Sequence, residues 1–236
     1  QKKLAVMKTD FINNMSHEFK TPLATIGLAI DAITNSKIIN NPNKIKEYSN
    51  MIKEENHRML KQVEDVLRIS QLERRTLQIE KKSLKIHDVI SLAINHVSLI
   101  VKSKKGKIEI NLNAFSDTIL GNTNHLTNVF VNILDNAIKY SKNPPLIIVK
   151  TIIKLNKIHI TFEDKGIGID SNSQKLIFQK FYRVQTGNIH NIKGHGLGLT
   201  YVKKIIEIHG GQIVLKSKKG FGSTFEISIP LTFNKN

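Results

Sequence analysis

Residues 124–140, NHLTNVFVNILDNAIKY, decide how the larger part of the chain is read. Val129, Ile133 and Ala137 recur at four-residue steps and line one face of a helix. Asn132, Asn136 and the pair Lys139/Tyr140 fall at i, i+4, i+7 and i+8 on another face. Two amides, an ammonium and a phenol in one line suit a metal-bound phosphate, and they equally suit an ordinary polar surface. Downstream, Leu146–Leu155 and Lys157–Glu163 are rich in Ile, Val and Thr and predict two strands of a hairpin. Residues 164–196 are glycine-rich with few periodic apolar positions, which marks a long functional loop. Leu197–His209 returns to helix, and Gln212–Ser217 and Ser223–Pro230 predict closing strands. Upstream, Leu77–Glu80 reads as a short strand, Asp88–Val101 as helix and Lys107–Leu112 as strand. Helices gathered among strands, rather than alternating strictly with them, predict an α+β sandwich and not a doubly wound sheet.

The first ~75 residues read differently, as helix throughout. Leu4, Met7, Phe11, Met15, Phe19, Leu23, Ile26, Ile30 and Ile33 follow at steps of three and four, close to a heptad seam. Pro22 interrupts this helix and should bend it. Asn35–Asn43 is a turn, and Tyr48, Ile52, Met59, Val63, Val66 and Ile69 form a second stripe. Two long helices and a short turn make an antiparallel hairpin. One hairpin cannot bury both faces of its stripes, so a dimeric four-helix bundle is expected.

Composition bounds the chemistry. The 236 residues contain no cysteine, which excludes disulfides and thiolate metal or redox sites. No run approaches the length of a membrane span. The chain opens on Gln1 rather than Met and is read as a fragment of a longer protein. The formal charge is +17, of which +5 falls in residues 1–82 and +12 in residues 83–236. The lysines are scattered and no aromatics alternate with them, so they read as a solvated surface that also attracts a polyphosphate.

Three more segments carry candidate chemistry. In residues 16–22, SHEFKTP, His17 and Thr21 share a helical face pointing away from the stripe, with Glu18 beside them. A neutral imidazole with a carboxylate nearby is a competent nucleophile, although a lone exposed histidine is more often only surface. Asp164-Lys165-Gly166-Ile167-Gly168 follows a strand, giving an acceptor beside backbone that a flat ligand can approach; Asp-x-Gly also marks common turns. Gly194-His195-Gly196-Leu197-Gly198-Leu199 opens a helix, where backbone N–H groups can face phosphate or where the chain simply hinges. It is neither a dinucleotide fingerprint nor a Walker loop.

Taken in order, HEFKTP, NILDNAIKY, DKGIGI, IFQKFYRV, GHGLGL and GSTF make the chain resemble the transmitter core of bacterial sensor histidine kinases over essentially its whole length. The resemblance implies two domains, 1–75 a dimerising histidine-phosphotransfer hairpin and 76–236 a gyrase-type ATP-binding domain. It implies that His17 is the phosphoacceptor, Glu18 its base or orienting group, and Thr21 the residue that places water for dephosphorylation. Asn136 would bind Mg²⁺ beside the phosphates of ATP, with Asn132 supporting it. Lys139 would contact phosphate and Tyr140 would lie near adenine. Asp164 would accept from the adenine amine, with Gly166 and Gly168 beside it. Phe178 and Phe181 match an aromatic box under a lid, Arg183 is placed to reach the γ-phosphate, and Gly194, Gly196, Leu197 and Gly198 form the lid's phosphate-facing end.

The resemblance further implies a homodimer, a response-regulator receiver domain as partner, no nucleic acid, and no membrane contact by this fragment itself. The chain would be the cytoplasmic portion of an inner-membrane-anchored sensor, and a linker near residues 73–77 would let the ATP-loaded domain swing to His17. Three positions depart from the pattern: Asn122 for a common Asp, Lys165 for a frequent Asn, and His195 for a frequent Thr or Phe. The alternatives are a gyrase-type ATPase or chaperone fragment, and a basic nucleic-acid-binding module.

Overall fold

The computed structural model describes residues 2–73, 79–141, 144–182 and 196–232. The chain divides into two compact units, Gln1–Arg75 and Thr76–Asn236.

The first unit is a helical hairpin of α1 (Lys2–Thr34) and α2 (Pro42–Glu73). Asn41 ends the turn: its side-chain oxygen accepts from the Lys44 N–H at 3.2 Å and its carbonyl accepts from Ile45. Pro42 then occupies the first helical position, where its missing N–H costs nothing. Helix α1 runs through Pro22. The inward line of α1 is Met15, Pro22 and Ala29, spaced by seven, with Ala29 almost wholly buried. On α2 the less exposed positions are Ile45, Tyr48, Ile52, Glu55, Met59 and Gln62, at alternating steps of three and four.

This bears out the predicted stripes in part: Met15 is buried and Phe19, Ile26, Ile33, Tyr48, Ile52 and Met59 are half-buried, while the side chains of Leu4, Met7, Phe11, Val66 and Ile69 lie outside those described. Leu23 and Ile30 of α1 and Val63 of α2 are exposed. Close helix approach favours the small Ala29 at the seam, while Leu23 and Ile30 stay outside it. Ile12, Leu23 and Ile30 therefore make a second, exposed line on α1, and Leu60, Val63 and Leu67 make one on α2.

The second unit contains β1 (Lys82–Lys85), α3 (Ile86–Ser103), β2 (Lys107–Leu112), β3 (Thr118–Gly121), α4 (Thr123–Tyr140), β4 (Leu146–Lys154), β5 (Lys157–Asp164), the one-turn α5 (Ser171–Gln174), α6 (Gly198–Ile208), β6 (Gln212–Lys218) and β7 (Gly222–Pro230). Five strands form one sheet in the order β2-β4-β5-β7-β6; β1 and β3 form a separate ribbon. The β2–β4 pair is parallel and the rest of the sheet antiparallel. Leu155 and Asn156 join β4 to β5 with positive φ at both positions, the hand a tight hairpin needs. Opposite Asp164, the last residue of β5, stands Ser223 of β7.

One sheet face is buried and carries Ile147 and Val149, Ile158, Ile160 and Phe162, and Phe225, Ile227 and Ile229. The period-two alternation puts His159, Thr161, Glu163 and Glu226 on the other face. Helices α3, α4 and α6 form the second layer, with α4 between the other two. Phe130 of α4 meets Phe162 with ring centroids 5.4 Å apart, tying the layers together. This is the expected two-layer α/β architecture.

Two local expectations change. The short strand is β1 at Lys82–Lys85, and Glu80 lies outside any strand; residues 77 and 78 fall outside the described residues. Strand β3 was not anticipated, and it supplies the hydrogen-bonding partner that makes β1 a strand at all.

Candidate functional site

In the hairpin unit, the features of interest cluster on one turn of α1. His17 is exposed and Glu18 half-buried. The Thr21 hydroxyl donates to the His17 carbonyl at 3.3 Å, which holds the two residues on one face. Met15, two residues earlier, is buried. An imidazole so placed can accept or donate a group without unpacking the helix.

In the α/β unit, the end of β5 and the start of β7 build a carboxylate cradle. Asp164 is buried, 6% exposed. Its Oδ1 accepts from the backbone N–H of Gly166 at 2.8 Å and of Ser223 at 3.3 Å. Burial pushes the carboxyl above the ordinary aspartate range, against the opposing pull of those two N–H donors. Both bonds fall on Oδ1, which leaves Oδ2 as an acceptor with no partner among the described residues.

The glycines around it are set by contact. A Cβ on Gly166 would overlap the Tyr140 carbonyl oxygen and stand 2.7 Å from Asp164 Oδ1. Gly168 has φ +65°, and a Cβ there would overlap the Lys218 carbonyl oxygen. The loop is pinned from below by Gly220, whose N–H donates to the Ile167 carbonyl, and by Ser217, whose hydroxyl accepts from the Ile169 N–H and donates to the Gly222 carbonyl. Gln174 adds two bonds, to the carbonyls of Ile169 and Ser217.

Helix α4 brings its polar line to the same end of the sheet. Val129, Ile133 and Ala137 are buried as predicted, while Asn132, Asn136 and Tyr140 are half-buried and Lys139 is exposed. Tyr140 and Gly166 are adjacent, because the Ile167 N–H donates to the Tyr140 carbonyl and Ser141 bridges Gly166. The Asn132 amide donates to the Asn128 carbonyl, and its Oδ1 lies 2.7 Å from where a Cβ of Gly198 would stand. The first residue of α6 is thus held against α4. The side chains of Asn136 and Lys139 have no hydrogen bond or ion pair among the described residues, and both remain available to a ligand. Gly196 has φ +67°, and Leu197 is buried, 3% exposed, anchoring the start of α6.

Phe178 meets Phe225 edge-on at 6.5 Å, and its carbonyl accepts from the Thr200 hydroxyl. Phe181 takes positive φ. Arg183 and Gly194 lie outside the described residues, as does His195. Sequence reading assigned no role to Ser217, Gln174 or Gly222, which hold the Asp164 loop in place; the GSTF segment at residues 222–225 was the only signal pointing there.

Chemically, this end of the unit offers a buried acceptor beside side-chain-free backbone, and an amide and ammonium line one helix away. That suits a flat, amine-bearing base joined to an anionic tail. Among the described residues no three His, Cys, Asp or Glu gather as a metal site, and no helix is long and apolar enough to cross a membrane.

Comparison with known proteins agrees with the geometry. Residues 7–75 match the His Kinase A (phospho-acceptor) domain, and residues 121–233 match the histidine kinase-, DNA gyrase B-, and HSP90-like ATPase family. The chain is 43% identical over 236 residues to Sensor protein RprX of Bacteroides fragilis, spanning 99% of this chain and 46% of that protein. It is 28% identical over 229 residues to Sensor-like histidine kinase SenX3 of Mycolicibacterium smegmatis, spanning 97% of this chain and 59% of the other. The chain therefore covers about half the length of the curated relatives it matches. In fold it resembles the crystal structure of histidine kinase ThkA in complex with response regulator protein TrrA, with a TM-score of 0.70 at 21% identity over 100% of this chain and 65% of that one. The chain belongs to the sensor histidine kinase family, with a His Kinase A (phospho-acceptor) domain followed by a histidine kinase-, DNA gyrase B-, and HSP90-like ATPase domain.

Proposed function

We propose that this chain phosphorylates its own His17 from ATP and passes the phosphoryl group to an aspartate of a response regulator. The observation that carries the reading is the Asp164 cradle, a buried carboxylate with one oxygen spare, beside glycines that tolerate no side chain. In this reading Asp164 Oδ2 accepts from the adenine amine, with Gly166, Gly168 and Tyr140 against the base. Lys139 and the N–H groups at Gly196, Leu197 and Gly198 face the phosphates. Phe178 and Phe181 support the region below, and Arg183 and Gly194 complete the phosphate contacts.

Phosphoryl transfer is mainly positioning and charge neutralisation. The His17 imidazole nitrogen attacks the γ-phosphorus, the bond from that phosphorus to the β–γ bridging oxygen breaks, and ADP leaves. Glu18 orients the ring and takes its proton. A regulator carboxylate then attacks the same phosphorus and frees the imidazole; Thr21 places water when the phosphorylated regulator is hydrolysed. Mg²⁺ fits this site on the available Asn136 amide with Asn132 in support, and since no acidic cluster lies among the described residues, phosphate and water would supply its other ligands. Bound there, it would supply positive charge against the phosphate oxygens.

The exposed lines Ile12, Leu23, Ile30 and Leu60, Val63, Leu67 support a homodimer that closes a four-helix bundle. Residues 1–75 and 76–236 act as the phosphoacceptor and ATP-binding domains. The family resemblance supports reading the chain as the cytoplasmic part of a membrane-anchored sensor.

The test is incubation with γ-labelled ATP and Mg²⁺. The expected product is protein label that survives alkali, is lost in acid, and is absent in His17→Gln. Phosphate release with no label on protein would sink the proposal.

A further inference from the structure

Helices α4 and α6 touch at two ends, and sequence reading gave a role to only one. At the site end, Gly198 of α6 meets Asn132 of α4. At the far end, His209, just past the last turn of α6, meets Asn122, the residue that caps α4. The spans agree. From 198 to 209 is roughly 16 Å of helix and from 132 to 122 roughly 15 Å, at 1.5 Å per residue. The two helices are thus pinned in antiparallel register at both ends, with the His125 Nδ1–Tyr201 hydroxyl pair, 2.9 Å, between them.

The far pin is a single imidazole. His209 is 5% exposed. Its Nε2 lies 3.1 Å from the Asn122 backbone nitrogen, an N–H that can only donate, so Nε2 is the acceptor. Nδ1 therefore carries the proton and donates to the Ile205 carbonyl at 2.7 Å. The neutral ring joins the end of α6 to the start of α4, and a charged ring cannot, because Nε2 would then present a hydrogen to the Asn122 N–H. Gly121 leaves room for it, since a Cβ there would stand 3.2 Å from the ring. Every element packed around the ring bears on its charge. Lys81, whose ammonium donates to the Ile208 carbonyl, and His125 of α4 both oppose a positive ring; the Ile205 carbonyl of α6 favours it. Burial is the largest effect and holds the imidazole below its ordinary range.

We propose that His209 is a positioning residue for nucleotide binding, acting as a proton-sensitive pin that keeps the phosphate-facing start of α6 in register with Asn132 and Asn136 of α4. The proposal rests on the assignment of nucleotide to these two helices. Protonation of His209 releases Asn122, α6 loses its distal tether, and Gly198 no longer sits fixed against Asn132. The kinase core then binds nucleotide less well in acid through a group that never touches the ligand.

The test titrates the full chain with ATP and Mg²⁺ by calorimetry from pH 5 to pH 8, for wild type, His209→Gln and His209→Leu, with thermal unfolding recorded at each pH. Glutamine keeps an uncharged acceptor for the Asn122 N–H; leucine keeps bulk and loses both bonds. Wild type should lose roughly three- to ten-fold in affinity as His209 protonates, below the ordinary histidine range, the worth of one hydrogen bond. His209→Gln should bind within a few-fold of wild type at pH 8 and lack that part of the acid loss, so that the ratio of the two affinities changes with pH. His209→Leu should bind weakly at every pH at which it remains folded. Equal pH profiles for wild type and His209→Gln would overturn the proposal, as would wild-type affinity in folded His209→Leu. Failure of wild type to bind ATP at pH 8 would instead overturn the nucleotide assignment itself.

Discussion

Asp164→Asn separates a ligand-binding carboxylate from one that merely holds a loop. Oδ1 accepts the Gly166 and Ser223 N–H groups, and an asparagine oxygen can accept both in the same geometry. The change then falls on Oδ2, which becomes an N–H₂ donor facing the donor of the ligand. A hydrogen bond to a charged acceptor is worth about 1.5–3 kcal/mol, and a donor set against a donor adds the cost of an unsatisfied buried group, about 1–3 kcal/mol. Affinity for adenine nucleotide should therefore fall by about seventy-fold at the least and by up to about twenty-five-thousand-fold.

Stability should move the other way with pH. Burial raises the Asp164 pKa, so its contribution to folding is fullest below the unfolded aspartate value and is lost as pH rises through the folded value. Asparagine resembles the protonated acid and escapes that loss. The stability of Asp164→Asn relative to wild type should rise across that window, and at neutral pH the variant should unfold within about 1 kcal/mol of wild type or above it, given two N–H bonds that lose only their charge assistance. Calorimetric titration with ADP and urea unfolding on the same sample read both quantities. Unchanged affinity would refute the reasoning; so would a loss of affinity matched by an equal loss of stability, which would make Asp164 a loop anchor.

Two further perturbations follow from the same structure. Gly168→Ala must place a methyl at φ +65° against the Lys218 carbonyl, at a cost of roughly 2–5 kcal/mol from the left-handed backbone and the overlap together. Urea unfolding should show it, and a variant within 1 kcal/mol of wild type would mean that the loop yields freely. Leu23→Glu with Leu67→Glu should shift the chain from dimer to monomer in sedimentation equilibrium, because each leucine buried in an interface is worth about 1.5–3 kcal/mol; a persistent dimer would place the interface elsewhere.

Elements with strong internal periodicity were readable from sequence alone. Strand β2 spans Lys107–Leu112 and α4 starts at Thr123, within one residue of the expected start. The site line on α4 was readable for the same reason, since a buried Val129–Ile133–Ala137 face fixes where Asn132 and Asn136 must lie. The ribbon β1–β3 was not. Each strand has four residues, and Leu84 is the only large apolar residue in β1, so the pairing register, invisible in either segment alone, makes them strands. The stripes of the hairpin were readable only in part: Met15 is inward as read, but Leu23 and Ile30 are exposed and the small Pro22 and Ala29 share the seam with Met15, which a rule that turns large apolar side chains inward does not find. Asn122 looked like a minor departure from a common Asp. In place, its side chain caps α4 through the His125 N–H and donates to the Glu80 carbonyl, and its backbone meets His209, a junction that no sequence spacing announces.

The register that sets Asp164 opposite Ser223 has a consequence for how this scaffold can be rebuilt. Everything between them, from the glycine loop through α6 and β6, leaves and returns at neighbouring rungs of one ladder. Extra residues spliced between 182 and 196 lengthen only this excursion, whose two ends are already clamped, and loop-closure entropy grows slowly with length. The strands that frame the carboxylate would keep their pairing whatever the length of chain carried between them.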